Sequence, residues 1–264
     1  MIGPDRSRML VRVNELTEKL YKWLEDSGRA LELRAARSLM GTPGCRLALP
    51  AYQYEDGVTK KQREGDVMAL FGGSNLSRTL NTSFRLAVEC KSGSDKPWIA
   101  FYDQRRSTHP AKLSDWWLPC GKDWTEELRT KVVGAFEWEN GLLTDRLASH
   151  AVSALGKESI NSAQDAIMQS MSFARALAGE GTLTMAGDNI GTVLGGVMPV
   201  VVTQAPLFQC ELGHEGQPIL TPVERFDVSV KFGQAPRRRV YVVSEAGLAD
   251  LAGSLGRALD RVSG

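Results

Sequence analysis

Phe84-Arg85-Leu86-Ala87-Val88-Glu89-Cys90-Lys91 reads as a buried β-strand that ends in charge. With the two-residue period of a strand, Phe84, Leu86, Val88 and Cys90 share one face, and Arg85, Ala87, Glu89 and Lys91 share the other. Glu89 and Lys91 therefore project side by side from the end of an apolar strand. Ionised side chains are seldom buried unless they are paired or bind a metal, so this strand end is a candidate for chemistry.

The preceding strand spans Arg63 to Phe71, with Val67, Ala69 and Phe71 alternating against Met68 and Leu70. Both faces are apolar, which suits a central strand. Asp66 opens it in Arg63-Glu64-Gly65-Asp66-Val67, and Gly72-Gly73-Ser74-Asn75 supplies a turn or loop after it. Asp66 and Glu89 are 23 residues apart, a spacing that fits two short strands and a connecting loop. A hairpin of this kind carries Asp66 close to Glu89. Upstream, a helix from about Ala30 to Met40 stops at Gly41-Thr42-Pro43-Gly44. Glu32 shares one face with Ala35, Ala36, Leu39 and Met40, while Arg34, Arg37 and Ser38 cover the opposite face. A polar exception on an apolar stripe predicts that Glu32 points inward, toward the sheet.

Three carboxylates facing one ammonium leave a deficit of about two charges, and unpaired ions in a low-dielectric site cost several kcal/mol each. One divalent cation closes the deficit. Hard carboxylate oxygens suit Mg²⁺, with Mn²⁺ as substitute, rather than zinc. Strand alternation turns the Cys90 thiol away from the carboxylates but leaves its backbone carbonyl within reach of the ion. Such an ion polarises a phosphate oxygen and lowers the pKa of an attacking water. Lys91 is placed to hold that water or to stabilise developing negative charge, and in-line attack on a phosphodiester follows.

Asp66, Glu89-Cys90-Lys91 and the upstream Glu32 resemble the signature of the PD-(D/E)XK nuclease superfamily. The resemblance covers about residues 28–100 closely; Gly65-Asp66 stands where the family has proline-aspartate. It implies an α/β, restriction-endonuclease-like fold: a mixed central β-sheet flanked by helices, with the acids and the lysine on its central hairpin. It also implies a metal-dependent endonuclease acting on DNA, in restriction, anti-phage defence or DNA processing. In some members a glutamine on a following helix adds to the site, which makes Gln164 and Gln169 candidates. Many relatives act as dimers, so a homodimer is expected. Two rival readings stay open: a catalytically silent nucleic-acid or protein-binding module on the same fold, and a nuclease effector gated by a protein or ligand activator.

The remaining sequence sets the frame. A chain of 264 residues, 42% hydrophobic and 24% charged, is ordinary for a globular protein, and a net charge of +1 gives no global field for polyanions. Nucleic-acid contact then needs local patches. Lys60-Lys61-Gln62-Arg63 and Arg237-Arg238-Arg239 are the basic clusters, read either as phosphate grips or as solvated turns that blunt strand edges. No apolar run approaches the roughly 20 residues that span a bilayer, and the first residues lack a signal-peptide pattern. Cys45, Cys90, Cys120 and Cys210 are far apart, which points to a reducing cytoplasm. Cys210 and His214 have half of a metal site with no second half near in sequence.

Residues 5–26 read as a helix with a stripe of Val13, Leu16, Leu20 and Trp23 or Leu24, and Arg46 to Tyr54 as a first strand. Residues 98–150 read as an irregular insertion holding Trp98, Trp116, Trp117, Trp124 and Trp138. These rings are read as buried in a small subdomain or dimer interface, or as stacking on bases. A helix from about Glu158 to Leu177 follows, then a glycine-rich connection from Gly179 to Gly196. Strands at Val197–Thr203, Phe226–Phe232 and Arg239–Val243 and a closing helix at Glu245–Val262, capped by Ser244, complete a single domain with its core at about 28–100 and 155–264.

Overall fold

The computed structural model describes residues 6–57, 59–72, 80–93, 95–102, 117–120, 124–139, 142, 146–155, 161–181, 192–231 and 237–263. Its centre is the expected hairpin. Strand β2 (Gln62–Phe71) pairs antiparallel with β3 (Leu80–Lys91) from Val67/Val88 to Phe71/Phe84, and with β1 (Cys45–Glu55) on its other side. Beyond β3 lies β7 (Thr192–Thr203), parallel to it over its whole length, then β11 (Arg238–Ser244) and β10 (Arg225–Val230). The short β5 (Leu118–Cys120) pairs with the first half of β7, beside the half that β11 uses. The sheet order is β1-β2-β3-β7-β11-β10, with parallel and antiparallel pairs mixed.

Helices cover both faces, so the molecule is α/β with a mixed sheet between helical layers. Alternation along the strands sorts the contacts. Val67, Ala69, Phe71, Phe84, Leu86, Val88 and Cys90 pack with α2 (Arg29–Met40) and α5 (Leu248–Ser263). Met68 and Ala87 face the other way, onto Phe173, Ala174 and Leu177 of α4 (Ser162–Gly179). The stripe Leu248, Leu251, Leu255, Leu259 and Val262 is buried as its spacing predicts, and Ser244 accepts a hydrogen bond from the Gly247 N–H before the helix begins. A third cluster joins Trp98, Ile167, Met171, Val201, Phe226 and Val240, and burial at about 25 cal/mol per Å² of apolar surface makes such clusters the main favourable contribution to folding.

Among the described residues of the region read as an insertion, Trp98, Trp117 and Phe136 are built into the core, while Trp138 is exposed. Trp117 is buried against Phe84 and Phe136, Trp124 stacks near it, and the Trp124 Nε1–H donates to the Gly195 carbonyl at 2.9 Å. Phe136 belongs to α3 (Glu126–Trp138), which packs on α5. Trp98 opens β4 (Trp98–Phe101), which forms a second sheet with β6 (His150–Ser153), β8 (Leu207–Leu212) and β9 (Pro218–Val223) in the order β6-β4-β8-β9. The parallel neighbours β3 and β7 leave the main sheet at the same end and continue into β4 and β8, which are again parallel neighbours. The second sheet thus grows from the end of the main sheet that bears Glu89 and Lys91.

Helix α1 (Arg6–Asp26) forms where expected, but Leu16, Leu20 and Trp23 of its stripe are exposed, Leu16 at 56% and Trp23 at 58%. Gly73, Ser74, Asn75, His109, Trp116, Glu158 and residues 182–191 lie outside the described residues.

Candidate active site

Three acids and a lysine lie near the place where β2 and β3 part. The last paired rung is Val67 with Val88; one step on, Asp66 and Glu89 stand across from each other on the face turned to α4. The Asp66 Oδ2 atom accepts the Cys90 N–H at 2.6 Å, which ties the opening of β2 to the end of β3. The Lys91 Nζ atom donates to Glu89 Oε1 at 2.8 Å and to Gln169 Oε1 of α4 at 2.9 Å. Glu32 comes from the opposite layer: it lies in the first turn of α2 and is 8% exposed, against 7% for Glu89. Helix α2 can approach so closely because Gly28, at φ 80°, precedes it; a side chain there meets the Ser92 hydroxyl just past β3.

The acids feel one another. Burial and then the charge of Glu89 push Asp66 up to about 6, against the Cys90 N–H bond and the charges of Lys91 and Arg29. Burial also raises Glu89, with Lys91 opposing and the Glu32 charge adding. Burial raises Glu32 as well, where the Arg29 hydrogen bond opposes and Asp66 adds. Each carboxylate thus contributes to the rise of another, and the three form a closed circuit of like charge. The Cys90 thiol is driven up by its burial and by all three acids, and it packs into the α2 and α5 side of the core.

Each carboxylate takes a donor from the protein itself: Asp66 the Cys90 N–H, Glu89 the Lys91 ammonium, Glu32 the Arg29 guanidinium. Accordingly, among the described residues no group of three or more His, Cys, Asp or Glu side chains is drawn into a ready-made metal cage. The donor chemistry nevertheless fits Mg²⁺ or Mn²⁺: three carboxylates whose mutual repulsion a cation relieves, with no imidazole among them.

The other candidates divide. Gln169 reaches Lys91, whereas Gln164 sits more than a helical turn earlier, where its backbone N–H is taken by the Asn161 side chain at the helix cap. Arg63, paired to Asp56 at 3.0 Å, lies three residues from Asp66, while Lys60 and Lys61 are exposed at the β1–β2 turn, beyond the end of the β2–β3 pairing and five to six residues before Asp66. Arg237, Arg238 and Arg239 lie at the start of β11, two strands away from β3 and short of its charged end. The pairing of Tyr241 with Val200 and of Val200 with Val88 sets Arg239 about five residues, roughly 17 Å, short of the Lys91 level. Arg239 is also buried and paired with Asp227 at 3.1 Å, and Arg237 donates to the Ser229 carbonyl. They brace the β10–β11 hairpin and are not beside the acids. Cys210 is buried, His214 is exposed, and all four cysteines are free thiols.

Sequence reasoning missed Arg29, Glu64 and Tyr54. Arg29 pairs with Glu32 and, at 2.6 Å, with Glu64. Tyr54 is buried on β1 and stacked on Phe173; burial raises its hydroxyl, Arg63 opposes, and Asp56, Glu89 and Asp66 add to the rise. The i,i+3 spacing of Arg29 and Glu32 and the two-residue step from Glu64 to Asp66 were the available signals. Gly65 also gains a reason: a Cβ there would run into the Phe173 ring, so the seat of α4 requires glycine at this position.

No family model, curated protein or solved structure matches the chain, so these residues alone carry the functional reading.

Proposed function

We propose that the chain is a Mg²⁺-dependent endonuclease of the PD-(D/E)XK type, with a restriction-endonuclease-like fold, that hydrolyses phosphodiester bonds of DNA. The observation that supports this reading most is the placement of Glu32, Asp66 and Glu89, from α2, β2 and β3, around one strand end beside the Lys91 ammonium. Each acid holds a donor of its own, yet three carboxylates placed so near one another repel, and that arrangement suits the binding of a hard divalent cation.

Asp66, Glu89, the Cys90 carbonyl and Glu32 would hold the ion. When bound, it supplies Lewis acidity toward a phosphate oxygen. The chain does the rest. Glu89 and Gln169 hold the Lys91 ammonium from two sides, so that its third proton is left to orient a water or to meet charge developing on the phosphate. Lys60, Lys61 and Arg63, which precede Asp66 at the β1–β2 turn and the start of β2, are the residues offered to backbone phosphates. DNA as substrate follows the family resemblance. A homodimer belongs to the same proposal, since two such sites address the two strands of a duplex.

The test is incubation of the purified chain with plasmid, single-stranded DNA and RNA in Mg²⁺, Mn²⁺ or EDTA, beside Lys91→Ala and Asp66→Ala. The proposal expects metal-dependent cutting of DNA that both variants lose. Cutting that persists in either variant contradicts the assigned roles. No cutting together with no metal binding favours a silent binding module, and silence relieved by a cell extract favours a gated effector.

A further inference from the structure

We infer that Arg29 is a built-in cation that competes with a divalent ion for Glu32, so that its guanidinium must be displaced before the three acids can share an ion. The inference rests on the metal-site reading of these acids and adds to it a residue that sets how much metal the site demands.

The geometry carries it. The Arg29 Nη1 atom donates to Glu32 Oε2 at 2.8 Å and lies 2.6 Å from Glu64 Oε1. The two partners differ in exposure. The Glu32 side chain is 10% exposed, while the Arg29 side chain is 42% exposed at the rim. A guanidinium and a divalent ion cannot both sit at contact distance from one carboxylate without strong repulsion between them. The half-exposed arginine is the partner able to move. Glu64 gives it a place to stay: it lies two residues before Asp66 on β2, is itself 35% exposed, and keeps its bond to Arg29 when Glu32 turns to the ion.

The same exchange explains how the acids tolerate one another when no ion is present. Lys91 offsets Glu89, and Arg29 offsets Glu32. Asp66 has a backbone N–H, from Cys90, in place of a counter-charge at contact distance among the described residues. Metal entry then replaces one resident charge rather than filling an open cage, which accords with carboxylates that are close enough to perturb one another yet not gathered on a common point. Removing the Arg29 charge should therefore strengthen metal binding, the reverse of what loss of a merely structural ion pair would do.

Calorimetric titration of Mn²⁺ alone into the 264-residue chain at pH 7.5, without nucleic acid, tests this. Arg29→Met should bind Mn²⁺ about fivefold more tightly than the wild type, the size expected for a partly exposed ion pair, with Arg29→Lys in between. In a Glu32→Gln background the effect of Arg29→Met should vanish, because the two act on one carboxylate. Equal or weaker Mn²⁺ affinity in Arg29→Met, with an unchanged circular dichroism spectrum, overturns the inference; where the methionine variant folds poorly, equal or weaker affinity in Arg29→Lys overturns it instead. A wild type that binds no Mn²⁺ counts against the metal site itself, whereas a wild type that binds and variants that do not differ from it count against Arg29 alone.

Discussion

Asp66 has one strong donor, the Cys90 N–H at 2.6 Å, and sits beside the like charge of Glu89. Its raised value of about 6, against 3.8 for the free group, means that the folded chain keeps a proton the unfolded chain has lost. The stability it contributes is present below about pH 4 and is lost as pH rises through 6. Glu89 and Glu32 are raised in the same sense. The metal-free protein should therefore melt lower at pH 7.5 than at pH 5. Asp66→Asn should raise the pH 7.5 melting temperature by a few degrees, since the amide oxygen can still accept from Cys90. Differential scanning calorimetry at the two pH values checks this, and a variant that melts lower than wild type at pH 7.5 contradicts it. Lys91 behaves differently, because its loss removes a donor and leaves Glu89 without its counter-charge. Lys91→Ala should lower the cutting rate by about 10²- to 10⁴-fold while leaving the circular dichroism spectrum unchanged.

Elements place these residues, and two contacts hold the elements in position. Arg85, on β3, is 2% exposed and donates to the Leu177 carbonyl at 2.6 Å and to the Gly181 carbonyl, at the C-terminal end of α4; it also pairs with Glu180 at 3.2 Å. It adds a charged donor at this helix end, where the Leu177 carbonyl also accepts from the Glu180 N–H at 3.2 Å. Arg85→Met removes the charge-assisted bonds to both carbonyls and to Glu180 and should cost about 3 kcal/mol, read from urea unfolding curves. Gly196 lies where β7 passes Phe84 and Trp117, and a Cβ there would be 2.6 Å from the Phe84 ring. Gly196→Ala should cost about 1–3 kcal/mol by overpacking, read the same way. These contacts also explain what was legible. Strands β2 and β3 and helices α2, α4 and α5 carry long periodic patterns, and their faces could be read residue by residue. The start of β7 was hidden because Gly195 and Gly196 break its apolar run, yet the break at Gly196 exists to admit two aromatic rings. Strands β4, β8 and β9 have four to six residues each, too few for a period to stand out, and β4 pairs with β8 across about a hundred residues of chain. The tryptophans between them gave burial but not address. In α1 the period marked the helix correctly, but a period cannot say whether anything covers the stripe.

Across the molecule, the main sheet sets the site at one end and the second sheet extends from that same end, through β4 and β8. The candidate site was legible in its four principal residues, because a polar exception in an apolar pattern is visible in one dimension. Arg29, Glu64 and Tyr54 were not, because their part depends on how two layers meet around a strand end. The arginines of β11 resembled a phosphate grip only until the parallel register with β7 set Arg239 level with Leu86, short of the acids, and paired it with Asp227. If Glu32, Asp66 and Glu89 together hold one divalent ion beside Lys91 and DNA is cut there, the rate of plasmid cleavage in Mg²⁺ at pH 7.5 must depend on Glu89. Wild type and Glu89→Gln, both shown to be folded, are to be compared in that assay. The wild type should cleave and EDTA should stop it, with a loss of at least about 10²-fold in the variant; equal rates for the two proteins would refute the site.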